Sequence, residues 1–348
     1  MESYYYLGAN TAEGFSSLYG GFCRGRGELL RIVKGGPGTG KSGFMRAVGR
    51  EAARRGLDVE YVLCSGDPDS IDGVYIPALA LGYCDGTAPH AAEPGVFGAD
   101  GDYADVGQFC RTPLPESAAK RAVELSREYR GKYGRAYALL AAAQSVERAL
   151  SPAGPCDRAI DRAETLMSSL IERLPASSGT PPRFAQRYLG AISCRGVLSE
   201  ISSLAACRLI FECEDGCGLG AVALKSVEKA AYSRSFSFVE CPSPSGGAEP
   251  DAVVVPELSA AFLRGTGRVD GAERIRLDRL CGELDEVKAR RRALRAARRE
   301  GARYIELACA VLAEAKRLHD ELESVYRPHM DFPALDAYTA REIARVFA

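Results

Sequence analysis

Gly35-Gly36-Pro37-Gly38-Thr39-Gly40-Lys41-Ser42, followed by Gly43, is a complete G-x-x-x-x-G-K-[ST] run between an apolar strand candidate, Glu28 to Lys34, and a helix candidate over 41 to 55. Glycines at 35, 36, 38 and 40 let successive backbone N–H groups turn inward toward phosphate oxygens without Cβ clashes. Lys41 then reaches the β- and γ-phosphates, the Ser42 hydroxyl is placed to ligate Mg2+, and the helix dipole adds positive potential there. The run predicts a nucleoside triphosphate site, with ATP and Mg2+ as the ligands. A plain glycine-rich turn is the alternative reading.

Outward from the loop, Val59 to Cys64 reads as a second strand and Leu79 to Cys84 as a third, so strands and helices alternate as in a parallel sheet covered on both faces. Ligands of such sheets sit at the strands' carboxyl ends. Asp85 emerges there, in the Walker B position of a carboxylate that holds Mg2+. Asp67, Asp69 and Asp72 follow the second strand, where Asp67 or a neighbour could orient a water or a substrate hydroxyl; Asp67-Pro68 and Asp72-Gly73 are also ordinary turn dipeptides. His90 could approach a phosphate or simply be solvated. Gly86 stands where fast ATPases carry a glutamate beside the acid, which predicts slow turnover.

The chain also resembles itself. Tyr6-Leu7-Gly8-Ala9 with Gly14 matches Tyr188-Leu189-Gly190-Ala191 with Gly196 at an offset of 182, and Ile32-Val33, Cys64 and Ile76-Pro77-Ala78-Leu79 match Ile210-Phe211, Cys241 and Val255-Pro256-Glu257-Leu258 at offsets of 177 to 179. This reads as a tandem duplication. On that alignment Leu219 replaces Lys41, Gly220 replaces Ser42, Arg264 replaces Asp85, and Glu214 and Asp215 bring negative charge into the second cradle. One live site and one degenerate site are expected.

With 348 residues, 46% hydrophobic and 26% charged, the chain suits two folded domains, and a net charge of -1 gives no overall pull toward nucleic acid or membrane. Eight basic residues from Lys288 to Arg303, including Arg290, lie on a helical pattern that could grip phosphate or form a solvated face balanced by Glu283, Asp285 and Glu286. The 12 cysteines are scattered, with no C-x-x-C pair, and read as reduced, partly buried thiols; Cys213 and Cys217 alone would not hold a metal. No secretory leader or membrane-length apolar stretch is evident, so a cytoplasmic location is expected.

Each half continues into Ala-, Glu- and Arg-rich helical sequence, Gly134-Arg135-Ala136-Tyr137 resembling Gly301-Ala302-Arg303-Tyr304, and Pro175 to Pro182 reads as the linker. The run from Lys34 to Ser42, the segment Cys64 to Val74, and Asp85-Gly86-Thr87-Ala88-Pro89-His90 together resemble a family of tandem P-loop ATPases of anaerobic Gram-positive bacteria. The resemblance implies two P-loop domains and ATP as ligand, and names no substrate. The expected fold class is α/β: two tandem P-loop NTPase-like parallel-sheet domains, residues 1–178 and 179–348, each with an appended helical hairpin, the second degenerate. The hairpins could serve a macromolecular partner or merely cover the sheets. A Mg2+-dependent ATPase acting as a switch is the leading expectation; a nucleotide or small-molecule kinase and a nucleotide-dependent protein- or nucleic-acid-binding module are the alternatives, with nucleic acid not favoured.

Overall fold

The protein was analysed as a computed structural model, which describes residues 1–88, 93–175, 182–245, 249–265, 269–282 and 284–348. The first repeat runs β1 (Glu2–Tyr6), β2 (Gly8–Thr11), β3 (Gly14–Ser17), β4 (Leu29–Lys34), α1 (Lys41–Arg54), β5 (Val59–Leu63), β6 (Ile71–Ile76), β7 (Leu81–Asp85), β8 (Gly101–Asp105), α2 (Glu116–Leu150) and α3 (Asp157–Arg173). The second runs β9 (Phe184–Gln186), β10 (Gly190–Ser193), β11 (Gly196–Ser199), β12 (Leu209–Glu214), α4 (Gly220–Ser233), β13 (Phe238–Pro242), β14 (Pro250–Val255), β15 (Ala260–Gly265), β16 (Glu273–Arg276), α5 (Leu284–Tyr326) and α6 (Phe332–Val346).

The described residues form two six-stranded sheets, β1-β5-β6-β7-β4-β8 and β9-β13-β14-β15-β12-β16, identical in order position for position. Both are mixed, not parallel as expected, because β6 and β14 run antiparallel to both neighbours. The physical reason is connection length. The stretch between the second and third predicted strands holds β6 and tight turns rather than a helix, and such turns join antiparallel strands, whereas parallel neighbours need a long crossover. The remaining pairs in both sheets are parallel.

Helix α1 buries Phe44, Met45 and Val48, the stripe predicted from spacing. Its end is fixed by bonds from Gly56 N to Ala53 O and Leu57 N to Ala52 O, and α4 ends the same way through Ser235 N to Tyr232 O and Phe236 N to Ala231 O. These paired ends, with Leu29 N bonded to Ala80 O and Leu209 N to Ser259 O, set the true offsets at 180 for β4 and 179 for α1. Ile32-Val33 therefore corresponds to Glu212-Cys213 rather than Ile210-Phe211. The sequence match slipped because both strands are apolar and the second loop is one residue shorter, 215–219 against 35–40.

Two compact units result, and they do not follow the repeat: one comprises Met1–Ala138, Ala191–Leu198 and Leu307–Ala348, the other Leu139–Gly190 and Ser199–Glu306. The expected linker lies largely at 176–181, outside the described residues. The terminal helices are exchanged. In the first unit α6 packs on α1, and in the second α3 packs on α4. The expectation that each hairpin backs its own sheet is thus corrected: α3 carries Ala159, Ala163, Met167 and Ile171 into the core containing Leu224 and Val227 of the second repeat. Helix α6 is fastened to the first sheet by Tyr338 stacked on Phe44 (5.8 Å between ring centroids) and by Glu342 on Arg31 of β4.

Candidate functional site

Parallel pairing of β4 with β7 sets Asp85 opposite Val33, just before the glycine loop leaves the sheet. That register brings Asp85 Oδ2 to 3.6 Å from Lys41 Nζ, with both side chains nearly buried. Lys41 also donates to the carbonyls of Gly36 (2.8 Å) and Gly35 (3.2 Å), so the amine lies folded over the loop. Thr39 Oγ1 donates to Gly36 O at 2.8 Å and braces the turn. Gly38 (φ +68°) is left-handed, and an added Cβ there would fall 2.9 Å from the carbonyl oxygen of Glu323, so both its conformation and its packing demand glycine. The end of α5 thus lies against the loop, with Tyr326 over Gly36 and Leu335 of α6 over Gly40.

The N–H groups of Gly38, Gly40, Lys41, Ser42 and Gly43 donate to no protein acceptor among the described residues. Helix α1 begins at Lys41, so these donors, the helix dipole and the lysine converge on one spot. Ser42 Oγ accepts from Ile71 N at 3.0 Å. Asp85 Oδ1 accepts from Thr87 N (2.8 Å) and Thr87 Oγ1 (2.6 Å), which orients the carboxylate. Each of these two oxygens retains a lone pair and is of the kind a hard cation takes alongside phosphate and water oxygens. Among the described residues no group of three or more His, Cys, Asp and Glu side chains could hold a metal.

The second loop has the opposite character. Asp215 Oδ1 accepts from Gly218 N (2.5 Å) and Leu219 N (2.8 Å), and Asp278 Oδ1 accepts from Gly216 N (2.9 Å). Backbone donors that an incoming anion would need are therefore held by the chain's own carboxylates. Arg290 donates to Cys217 O at 2.6 Å, and Arg291 pairs with Asp278, so two residues of the basic helix are fastened to this loop. The helix-start position of Lys41 is filled by Gly220 and that of Ser42 by Ala221, one residue later than the sequence alignment put them; Arg264 does stand at the Asp85 position, bound to Asp251 and Glu249. We expect Asp215→Ala to destabilise the second unit by about 1–3 kcal/mol through the orphaned N–H groups, read as a lower urea midpoint and faster amide exchange at Gly218 and Leu219.

Of the acidic segment, Asp67 is 3.5 Å from Lys316 Nζ, Asp69 pairs with Arg195, and buried Asp72 accepts from Tyr19 OH at 3.0 Å. Asp72 is thus engaged within the sheet, and Asp67 also closes a turn through Ser70 N to Asp67 O. His90 and Thr266 lie outside the described residues, as do Glu283 and the side chain of Asp285. Sequence reasoning missed Arg195, Asp278, Glu323 and Tyr326. All twelve cysteines are free, and burial pushes Cys213 and Cys217 up to about 12, where a thiolate ligand is disfavoured.

No protein-family model, curated protein or solved structure matches the chain. Among the described residues no helix is long and apolar enough to cross a membrane.

Proposed function

We propose that the chain is a P-loop nucleoside triphosphatase that binds ATP with Mg2+ at the first glycine loop and hydrolyses it slowly. The observation that carries this reading is the contrast between the loops: among the described residues the N–H groups of Gly38 and Gly40 have no protein acceptor and Lys41 opens the helix behind them, whereas in the second loop Asp215 takes the N–H groups of Gly218 and Leu219 and Gly220 stands at the lysine's position. Gly35 to Gly43 would cradle the phosphates, Lys41 would exchange its carbonyl partners for the β- and γ-phosphate oxygens, and Ser42 and Asp85 would hold Mg2+. The metal would supply charge neutralisation at the β- and γ-oxygens. Slow turnover is supported by Gly86, where an added Cβ would fall 2.4 Å from Ile32 Cγ2, leaving no room for a glutamate.

Switch behaviour is supported by the setting of the loop. Tyr326, Glu323 and Leu335, near the end of the chain, rest on the loop that would tighten around phosphate, so occupancy would be felt by α5 and α6. The test is a calorimetric titration of ATP with and without Mg2+ into the whole chain. One nucleotide per chain, bound in a Mg2+-dependent manner, is the expected result; two per chain, or none, rejects the reading.

A further inference from the structure

We propose that Arg195, carried by the second repeat, is the cation that contacts the transferring phosphoryl group at the first-repeat loop, and that Asp69 holds it aside in the present structure. This rests on the triphosphatase reading above. The hairpin of β10 and β11 belongs to the first compact unit, where Asn10 Nδ2 donates to Ile192 O at 2.9 Å in a buried contact. Its turn is stiff: Ser193 Oγ donates to Gly196 O (3.1 Å) and accepts from Arg195 N (3.0 Å). The backbone of Arg195 is therefore fixed, while its guanidinium reaches outward to the carboxylate of Asp69.

Asp69 sits on the connection from β5 to β6, and that connection is pinned to the mouth of the glycine loop at two points. Ile71 N donates to Ser42 Oγ at 3.0 Å, and Arg46 of α1 donates to Asp69 O at 2.5 Å. Two residues of extended chain span at most about 7 Å, so the Asp69 backbone lies no more than about 10 Å from the Ser42 hydroxyl. The Arg195–Asp69 pair is exposed on both sides, 53% and 66% by side chain, and exposed ion pairs of this kind cost little to break. Two other cations touch this segment and are less free to move: Arg46 is bound to Asp69 O, and Lys316 is held by both Asp67 and Asp320.

The first-repeat counterpart argues for a role in charge rather than in folding. Thr11-Ala12-Glu13-Gly14 makes the same turn, with Thr11 Oγ1 donating to Gly14 O (2.8 Å) and accepting from Glu13 N (3.2 Å), and with Gly14 at φ +109° against +106° for Gly196. The geometry is repeated and the charge at one position is reversed, Glu13 against Arg195. An arginine suits the task because its planar fork can bridge phosphoryl oxygens as charge builds on them. In the reaction a water oxygen bonds to the γ-phosphorus, the bond from that phosphorus to the β–γ bridging oxygen breaks, ADP leaves with the electron pair, and the water's proton passes to solvent with release of inorganic phosphate. The guanidinium would stabilise charge on the γ-oxygens and neither gives nor takes a proton.

The test compares Arg195→Ala, Arg195→Lys and Asp69→Ala with the parent chain in hydrolysis, in binding of a non-hydrolysable ATP analogue, and in trapping of Mg2+, ADP and aluminium fluoride as a transition-state mimic. Arg195→Ala is expected to lose about 10³-fold in hydrolysis and to fail to trap the mimic, with analogue binding changed by less than about threefold. Arg195→Lys is expected to recover little of this, and Asp69→Ala, which frees the guanidinium, to hydrolyse at least as fast as the parent. Hydrolysis by Arg195→Ala close to the parent rate overturns the proposal. So does an equal loss in Asp69→Ala, which would make the ion pair structural. A parent chain that binds the analogue but does not trap the mimic overturns this proposal alone, whereas a parent chain that binds no nucleotide overturns the functional reading beneath it.

Discussion

Lys41→Ala is expected to weaken ATP binding by roughly 10²- to 10³-fold, on the scale of about 3–4 kcal/mol for truncating one partner of a desolvated charge contact. The lysine side chain is only 11% exposed and sits between two loop carbonyls and Asp85, so a phosphate entering the loop would exchange with carbonyl partners of an amine that is already largely desolvated. Calorimetry measures the affinity, and a thermal melt alongside it separates lost binding from lost fold. Substitutions in the second loop should leave stoichiometry and affinity unchanged. Asp215→Ala is the control, with its own thermal melt because Asp215 is buried and its loss is expected to weaken the second unit. Equal losses of ATP affinity in Lys41→Ala and Asp215→Ala would overturn the one-site reading.

Glu342→Ala is expected to destabilise the first unit by about 3–5 kcal/mol, because it leaves a buried arginine short of a partner. Arg31 and Glu342 are 8% and 5% exposed by side chain, and the same carboxylate accepts from Tyr83 OH and from Arg345 (2.9 Å). Burial alone would lower the pKa of Arg31, but hydrogen bonds to Asp102 and Glu342 outweigh it and hold the guanidinium above its ordinary value. For Glu342, burial pushes the carboxyl up, yet bonds from Arg345, Arg31 and Tyr83 outweigh it and hold the group below its usual 4.5. A lowered folded-state value stabilises the protein above the unfolded value and is lost as pH falls through the lowered one. Glu342→Gln should therefore flatten the loss of stability below about pH 4.5, and an acid limb as steep as the parent's would refute the assignment. Urea unfolding followed by probes specific to the first unit is the appropriate measurement, since two units need not unfold together.

Glycine spacing with Lys41 and Ser42 made the first loop readable, because that chemistry is local in the chain, and the apolar strand ending at Asp85 was readable for the same reason. The stripe of Phe44, Met45 and Val48 was equally plain. Strand β6 was hidden, since Gly66-Asp67-Pro68-Asp69-Ser70 and Asp72-Gly73 carry turn composition straight into a strand whose direction only pairing decides. The repeat was detectable, but a missing loop residue shifted its register and misnamed the replacements of Lys41 and Ser42. Glu323 and Tyr326, which lie against the loop, and Arg195, which pairs with Asp69, could not be found from local pattern, because their contacts are far apart in sequence. The contrast of Glu13 with Arg195 was the available clue, and it is visible only once the repeats are laid side by side.

The exchange of terminal helices has a practical bearing on how this protein can be dissected. A chain stopped at 178 would present Phe44 and Tyr83 bare of Tyr338 and Glu342, and would carry the glycine loop without the hairpin bearing Arg195; the remainder would lack α3 and its row of Ala159, Ala163, Met167 and Ile171. Neither piece is expected to fold as a freestanding module, and co-expression as complementing fragments would be expected to regenerate soluble material.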